Sequence, residues 1–288
     1  MTASRIKALV MTYDRHRVFA EHMMAVYNDL WPDHPFQFRI PYQNLGGEES
    51  ENRHYLQSPS SILDTVKALL DGIDDEEWVY WCWDDNYPIW MDVKRMPAIV
   101  EWVRSIENQD ICGILACRCF KFAGNKISGH KIIRDNFGNG YLEIKGYQRI
   151  WSHQFLRAKV IRHLFFDIFP DDLASIRTMG GLTRHAEAPA SHRRFVVEKN
   201  MLLLGESMVK GVITRNCYES MKRYGMAMPE WWNGVIGQKK IMGPMDSSRG
   251  LKASIYNTLM PRLRDAQDKW LEGVLLSKFS GLRKRHKP

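Results

Sequence analysis

Two adjacent carboxylates, Asp84 and Asp85, with Asn86 behind them, end a run of six apolar or aromatic residues from Trp78 to Trp83. Carboxylate and amide oxygens are the ligands that a hard divalent cation takes. Their place adds to their type. Six apolar residues rich in strand formers are too few for a typical helix and read as a strand buried on both faces. In open α/β sheets, ligands bind in the crevice beyond the carboxyl ends of the strands. The same residues also suit a plain solvated turn, because Asp, Asn and the nearby Pro88 are all turn formers.

The elements that must position this pair are legible from hydrophobic periodicity. Ala8 to Met11 predicts a first strand that turns at Thr12-Tyr13-Asp14. Phe19, Met23, Val26, Tyr27 and Leu30 then recur at helical spacing until Trp31-Pro32-Asp33. Phe36 to Ile40 alternates as a second strand closed by Pro41, and a Gly-, Glu- and Asn-rich loop runs from Gln43 to Arg53. A helix is predicted after Ser58-Pro59-Ser60, with Ile62, Val66, Leu69, Leu70 and Ile73 on one face. Pro97 opens another, with Ile99, Trp102, Val103 and Ile106 inward, and Ile111 to Phe122 reads as a strand. The order β-α-β-α-β-α-β predicts an α/β fold, a mostly parallel sheet flanked by helices.

The second half is less regular. It shows a Gly- and Asn-rich loop over 125–141, an amphipathic helix from Trp151 to Phe166 capped by Ser152, and a polar stretch from Asp171 to Arg194. In that helix Phe155, Ile161, Leu164 and Phe165 are expected to face inward. A short apolar segment follows at Met201 to Leu204, then a helix over Thr214 to Tyr224, and Trp231-Trp232 in a loop after Pro229. Trp81 and Trp83 are expected in the core, whereas Trp151 and Trp231-Trp232 offer aromatic faces for an acceptor groove.

Composition sets outer limits. The 288 residues are 44% hydrophobic and 26% charged, ordinary for a globular protein. No apolar run approaches the roughly 18–20 residues needed to cross a bilayer, and Met1 to Lys7 lacks a signal-peptide core, so a cytoplasmic protein is expected. A net charge of +8 favours an anionic partner: nucleic acid, nucleotide phosphates or an acidic membrane surface. The five cysteines, Cys82, Cys112, Cys117, Cys119 and Cys217, are odd in number and lack paired zinc spacing, so they read as reduced core residues.

Several chemistries are absent. There is no G-x-x-x-x-G-K-[ST] phosphate loop, no G-x-G-x-x-G after the first strand, no H-E-x-x-H and no G-x-S-x-G. What remains resembles a nucleotide-sugar glycosyltransferase of the GT-A fold. The resemblance rests on the first strand turning into Thr12-Tyr13-Asp14, the β-α-β-α-β start, and the apolar run entering Asp84-Asp85-Asn86. The segment from Tyr147 to Leu156 is similar to an element of bacterial cell-surface glycosyltransferases, an aromatic-rich stretch that enters a helix beside the acceptor site. Together these motifs span roughly residues 6–165.

The resemblance implies a Rossmann-like, GT-A-like sheet with an irregular acceptor-side second half. It implies one catalytic domain over 1–250, in a nucleotide-binding half, 1–122, and an acceptor-side half, 123–250. A helical segment with a basic tail, 251–288, follows. Asp84, Asp85 and Asn86 take the place of the family's D-x-D element and would hold Mn²⁺ or Mg²⁺, with His185 or His192 as a late ligand. The third position is Asn86, where the family has an acid; metal dependence therefore stays open. Thr12, Tyr13, Asp14 and Asp84 would contact the nucleotide. Arg134, in the basic stretch from Lys121, and Arg177, Arg184, Arg193 and Arg194 are candidates for the diphosphate. Asp85, Glu143, Glu187 and His153 are candidates for the group that acts on the acceptor hydroxyl. The partners implied are a nucleotide-diphosphate sugar and a glycan or lipid-linked acceptor. Trp270, Leu271, Val274, Leu275 and Phe279 suit either an interfacial helix or one packed on the domain. A basic nucleic-acid-binding protein and an inactive GT-A-like scaffold are the alternatives, and no recognisable nucleic-acid motif supports the first.

Overall fold

The computed structural model describes residues 4–117, 132–147, 149–169, 182–183, 186–209, 211–229, 231–232 and 235–236. Cys119, Arg177, Arg184, His185 and the segment 251–288 therefore lie outside the described residues, as does most of the basic stretch before Arg134.

Nine strands form the main sheet: Ile6–Met11 (β1), Phe36–Tyr42 (β2), Arg53–Gln57 (β3), Trp78–Trp83 (β4), Ile111–Leu115 (β6), Ile132–Arg134 (β7), Gly140–Ile144 (β8), Gln154–Arg157 (β9) and Arg193–Val197 (β10). Their order is β3-β2-β1-β4-β9-β6-β10-β8-β7. The block β3-β2-β1-β4 is wholly parallel, and β6 and β10 keep its direction. Only β9 and β8 run against it, so the sheet is mixed but mostly parallel in direction. This is the expected α/β fold, a mostly parallel sheet flanked by helices. Asn86–Met91 (β5) pairs antiparallel with Leu202–Glu206 (β11) outside it. A small sheet joins Met208–Val209 (β12), Val212–Thr214 (β13) and Val235–Ile236 (β14).

Alternation along the strands sends side chains to two cores. Ala8, Val10, Tyr80 and Cys82 face helices Arg17–Leu30 (α1) and Met96–Ser105 (α3), packing with Phe19, Met23, Tyr27, Ile99 and Val103. Leu9, Met11, Trp81 and Trp83 face helices Ile62–Leu69 (α2) and Ala158–Arg162 (α4), packing with Val66, Leu69, Ile161 and Phe165. Trp81 and Trp83 are thus core residues, as expected. A further helix, Arg215–Arg223 (α5), starts at Thr214, whose hydroxyl accepts from the Cys217 amide. Cys82, Cys112, Cys117 and Cys217 are buried, as expected of core residues. Among the described residues no helix is long and apolar enough to cross a membrane.

The structure corrects several elements, among them the strand read over Ile111 to Phe122, which ends at Leu115. β2 runs through Pro41 to Tyr42. β3 and β5 are strands that the pattern did not predict, and β7 and the start of β8 lie in the loop expected over 125–141. Residues 154–157 are not the start of a helix: they form β9, hydrogen-bonded to β4 on one side and β6 on the other. Pairing partners on both flanks outweigh the local 3.6-residue pattern, because strand formation is decided by tertiary context more than by propensity. Helix follows only from Ala158, continuing as a π-helical turn over His163–Ile168.

Candidate functional site at the carboxyl edge of two central strands

The chain runs from β1 outward to β2 and β3 and then returns to place β4 on the other side of β1. The strand order therefore reverses between β1 and β4, the position where open α/β sheets form a ligand crevice. Met11 lies opposite Trp83, so Thr12-Tyr13 and Asp84-Asp85 leave adjacent strands at the same edge. The Thr12 hydroxyl donates to Asp84 Oδ2 over 2.7 Å, and the Asp84 amide donates to the Met11 carbonyl. His16 places Nδ1 3.6 Å from the same carboxylate oxygen and Nε2 3.0 Å from the Tyr13 hydroxyl. Tyr13 keeps an exposed ring; partial burial, with the nearby Asp84 charge, raises its phenol pKa.

Asp85 is solvent-accessible, yet protein surrounds it closely. Those surroundings, with the charges of Asp84 and Glu206, push its carboxyl up to about 7, against the opposing pull of Asn86 and His16. The Asn86 side-chain amide donates to its Oδ1. Glu206 arrives from β11, in register with Asn86 of β5, and the Ser207 amide donates to the Asp85 carbonyl over 2.6 Å. His16 and Glu206 had no local signal in the sequence. One follows a strand end by five residues, and the other is brought in only by the β5–β11 register.

Trp231 also reaches this edge. Its indole N–H donates to the Arg15 carbonyl over 3.1 Å, the Arg15 guanidinium lies 4.7 Å over its ring, and His16 packs at 5.4 Å. Trp232 stacks on Tyr218 instead.

Thr12, Tyr13, Asp84, Asp85 and Asn86 are therefore brought together; the other candidates are not. Asp14 is near, but both its oxygens are engaged, by the amides of Gln43 and Asn44 and by Arg17. Burial alone would raise its carboxyl; those amides and the guanidinium outweigh it and hold it low. His153 is fully buried. Its Nε2 lies 3.0 Å from the Trp83 carbonyl and its Nδ1 2.8 Å from the Tyr27 hydroxyl, so neither nitrogen is left for an acceptor hydroxyl. Burial lowers its pKa to about 4. Glu143 stands on β8, four strands from β4 or about 19 Å at ordinary strand spacing, and pairs with Arg193. Arg134 is one strand further, donating to the Gly138 carbonyl. His192 precedes β10 at the amino edge of the sheet, opposite Asp84. Glu187 is exposed in the coil beside Ala186. Arg194 is buried, donating to the Gly146 carbonyl and Gln154 Oε1; burial lowers it to about 9.

Among the described residues no three His, Cys, Asp or Glu side chains converge on a metal position. Two carboxylates at one strand end still fit a Mg²⁺-type site, which takes one or two carboxylates and completes its shell with water and substrate phosphates. Two open recesses of about 300 and 230 Å³ lie elsewhere, along α2, lined by Lys67 and Asp71 among others.

No family model and no curated protein matches the chain. Two solved structures of the galactosyltransferase LgtC are similar to it at 10% identity and a TM-score of 0.35. One is an active-site mutant, matched over 88% of this chain and 95% of that one. The other is a complex with donor and acceptor sugar analogues, matched over 82% and 90%. A likeness at that level carries no weight for activity.

Proposed function

We propose that the chain is a nucleotide-sugar-dependent glycosyltransferase that uses a glycan or lipid-linked acceptor. The observation that carries this reading is the acidic pair Asp84-Asp85 at the carboxyl edge of β4, beside Thr12-Tyr13 of β1, where the strand order reverses.

In this reading the donor diphosphate lies against Asp84-Asp85, and Asp84 is held ready by the Thr12 hydroxyl. A bound Mg²⁺ or Mn²⁺ would neutralise charge on the departing diphosphate. Tyr13 offers an exposed ring face to the base. Asp14 anchors the 43–44 loop beside the site instead of turning a free carboxylate to the ribose. Arg15 and Trp231 border the same edge and are the aromatic and cationic surface available to an acceptor. Glu206, close enough to raise the Asp85 carboxyl, takes the place of Glu143 and His153 as a candidate for the group that acts on the acceptor hydroxyl.

The test is a thermal-shift screen against UDP, GDP, CMP, dTDP and their sugars, with and without Mn²⁺. Ligand at a hundred times its dissociation constant stabilises the native state by about 2.7 kcal/mol. The expected outcome is a shift for one nucleotide class that Asp85→Ala abolishes. No shift for any of them at millimolar concentration sinks the reading.

A further inference from the structure

We propose that His153 is a positioning residue: its imidazole sets where the Asp84-Asp85 turn leaves β4, and Tyr27 in turn sets the imidazole. The inference concerns the geometry of the turn, and it rests on the glycosyltransferase reading only for its effect on ligand binding.

The ladder register shows why a side chain is needed there. β9 begins at Gln154, opposite Trp81, so β4 has no main-chain partner on that flank by the time it reaches Trp83. The Trp83 carbonyl would be buried without a donor, a costly state. His153, the residue before β9, supplies one through Nε2 at 3.0 Å. On the other flank β1 still holds the strand, through the Asp84 amide on the Met11 carbonyl. The turn is thus gripped from β1 by main chain and from β9 by an imidazole.

The hydrogen-bond chain behind the imidazole has one consistent direction. A carbonyl only accepts, so Nε2 carries the proton and Nδ1 is the acceptor. Nδ1 then accepts a hydrogen bond from the Tyr27 hydroxyl over 2.8 Å, and the Tyr27 oxygen accepts one from the Tyr80 hydroxyl, also at 2.8 Å. His153, Tyr27 and Tyr80 are all fully buried. Tyr80 belongs to β4 itself, so the chain starts on the strand, crosses α1, and returns to the strand's last residue. The two hydrogen bonds offset the cost of burying the imidazole, and they tie it to the last residue of β4 on one side and to α1 on the other.

Tyr27→Phe removes the proton donor and keeps the ring. It leaves Nδ1 unpaired and frees the tautomer to invert, which would turn a lone pair toward the Trp83 carbonyl. The experiment is amide hydrogen exchange on the full chain, compared with Val66→Ala, a control chosen in the opposite core and read at equal distance from its urea midpoint. Exchange at the Asp84 and Asp85 amides is expected to rise about tenfold more in Tyr27→Phe than in the control, the factor that one buried hydrogen bond supplies. ¹⁵N spectra should show the Nε2–H tautomer of His153 in the native chain and a mixture in the variant. His153→Gln, which retains a donor, should recover part of the protection that His153→Leu loses. Equal exchange in Tyr27→Phe and the control, or an Nδ1–H tautomer in the native chain, overturns the inference. A native chain that binds no nucleotide refutes the proposed function but leaves these exchange results standing.

Discussion

His22 offers a test of the core that does not depend on any ligand. It lies on α1, fully buried, with Nε2 2.8 Å from the Ser220 hydroxyl of α5 and Nδ1 facing the Cys217 sulfur. Burial lowers its pKa from 6.5 to about 4. A histidine whose folded pKa is depressed stays neutral in the native state while the unfolded chain takes up a proton. Stability is therefore complete above pH 6.5 and falls as pH drops from 6.5 toward 4, below which the loss levels off. Between pH 7.5 and 4.5 the single group should remove about 2.5 kcal/mol, with a slope approaching 1.36 kcal/mol per pH unit. His34, His153 and His192 are depressed in the same direction, so the native curve alone cannot isolate one residue. Urea unfolding of the native chain and of His22→Gln at half-unit pH intervals can. The variant is expected to lose roughly one proton's worth of slope in that window, whatever its absolute stability. Parallel curves from pH 7.5 to 4.5 would refute the assignment of a neutral, desolvated imidazole at this position.

Three further substitutions probe separate parts of the fold. Gly113→Ala would place a methyl 2.7 Å from Arg194 Cγ and 2.9 Å from Leu156 Cδ2; a loss of about 1–3 kcal/mol in urea unfolding is expected. Ser61→Ala removes the hydroxyl that accepts from the Asp64 amide at the start of α2, and should cost about 1 kcal/mol, with faster amide exchange confined to the first turn. Tyr141→Phe deletes the buried hydroxyl that donates to Asp135 Oδ2 over 2.7 Å, and should lower stability by about 1.5–3 kcal/mol by chemical denaturation.

β1 and β4 were legible because each is a short apolar run, and α1 and α3, which come after them in the chain, keep a 3.6-residue periodicity. β1, α1, β4 and α3 have nearly the bounds that pattern predicts. β9 was hidden because its four residues carry no turn signals of their own and continue into a real helix. The acidic pair could be found because residue type and strand end coincide in one short stretch. Glu206 could not, since its place depends on a strand pairing across more than a hundred residues. His153 shows the opposite failure. Its residue type pointed to proton transfer, whereas two buried hydrogen bonds commit both nitrogens to the fold.

The late arrival of β9 has a cost during synthesis. β4, the strand with three tryptophans, finds one neighbour in β1 as soon as it is made, but its other edge waits for Gln154, about seventy residues further along the chain. At roughly 5–20 residues per second the ribosome needs several seconds to deliver it. For that interval the nascent chain carries an open, aromatic strand edge, the kind of surface that recruits a second chain or a chaperone. Nascent chains stalled before residue 154 should therefore be held by chaperones or aggregate, and those stalled far enough past 157 for β9 to clear the exit tunnel should not.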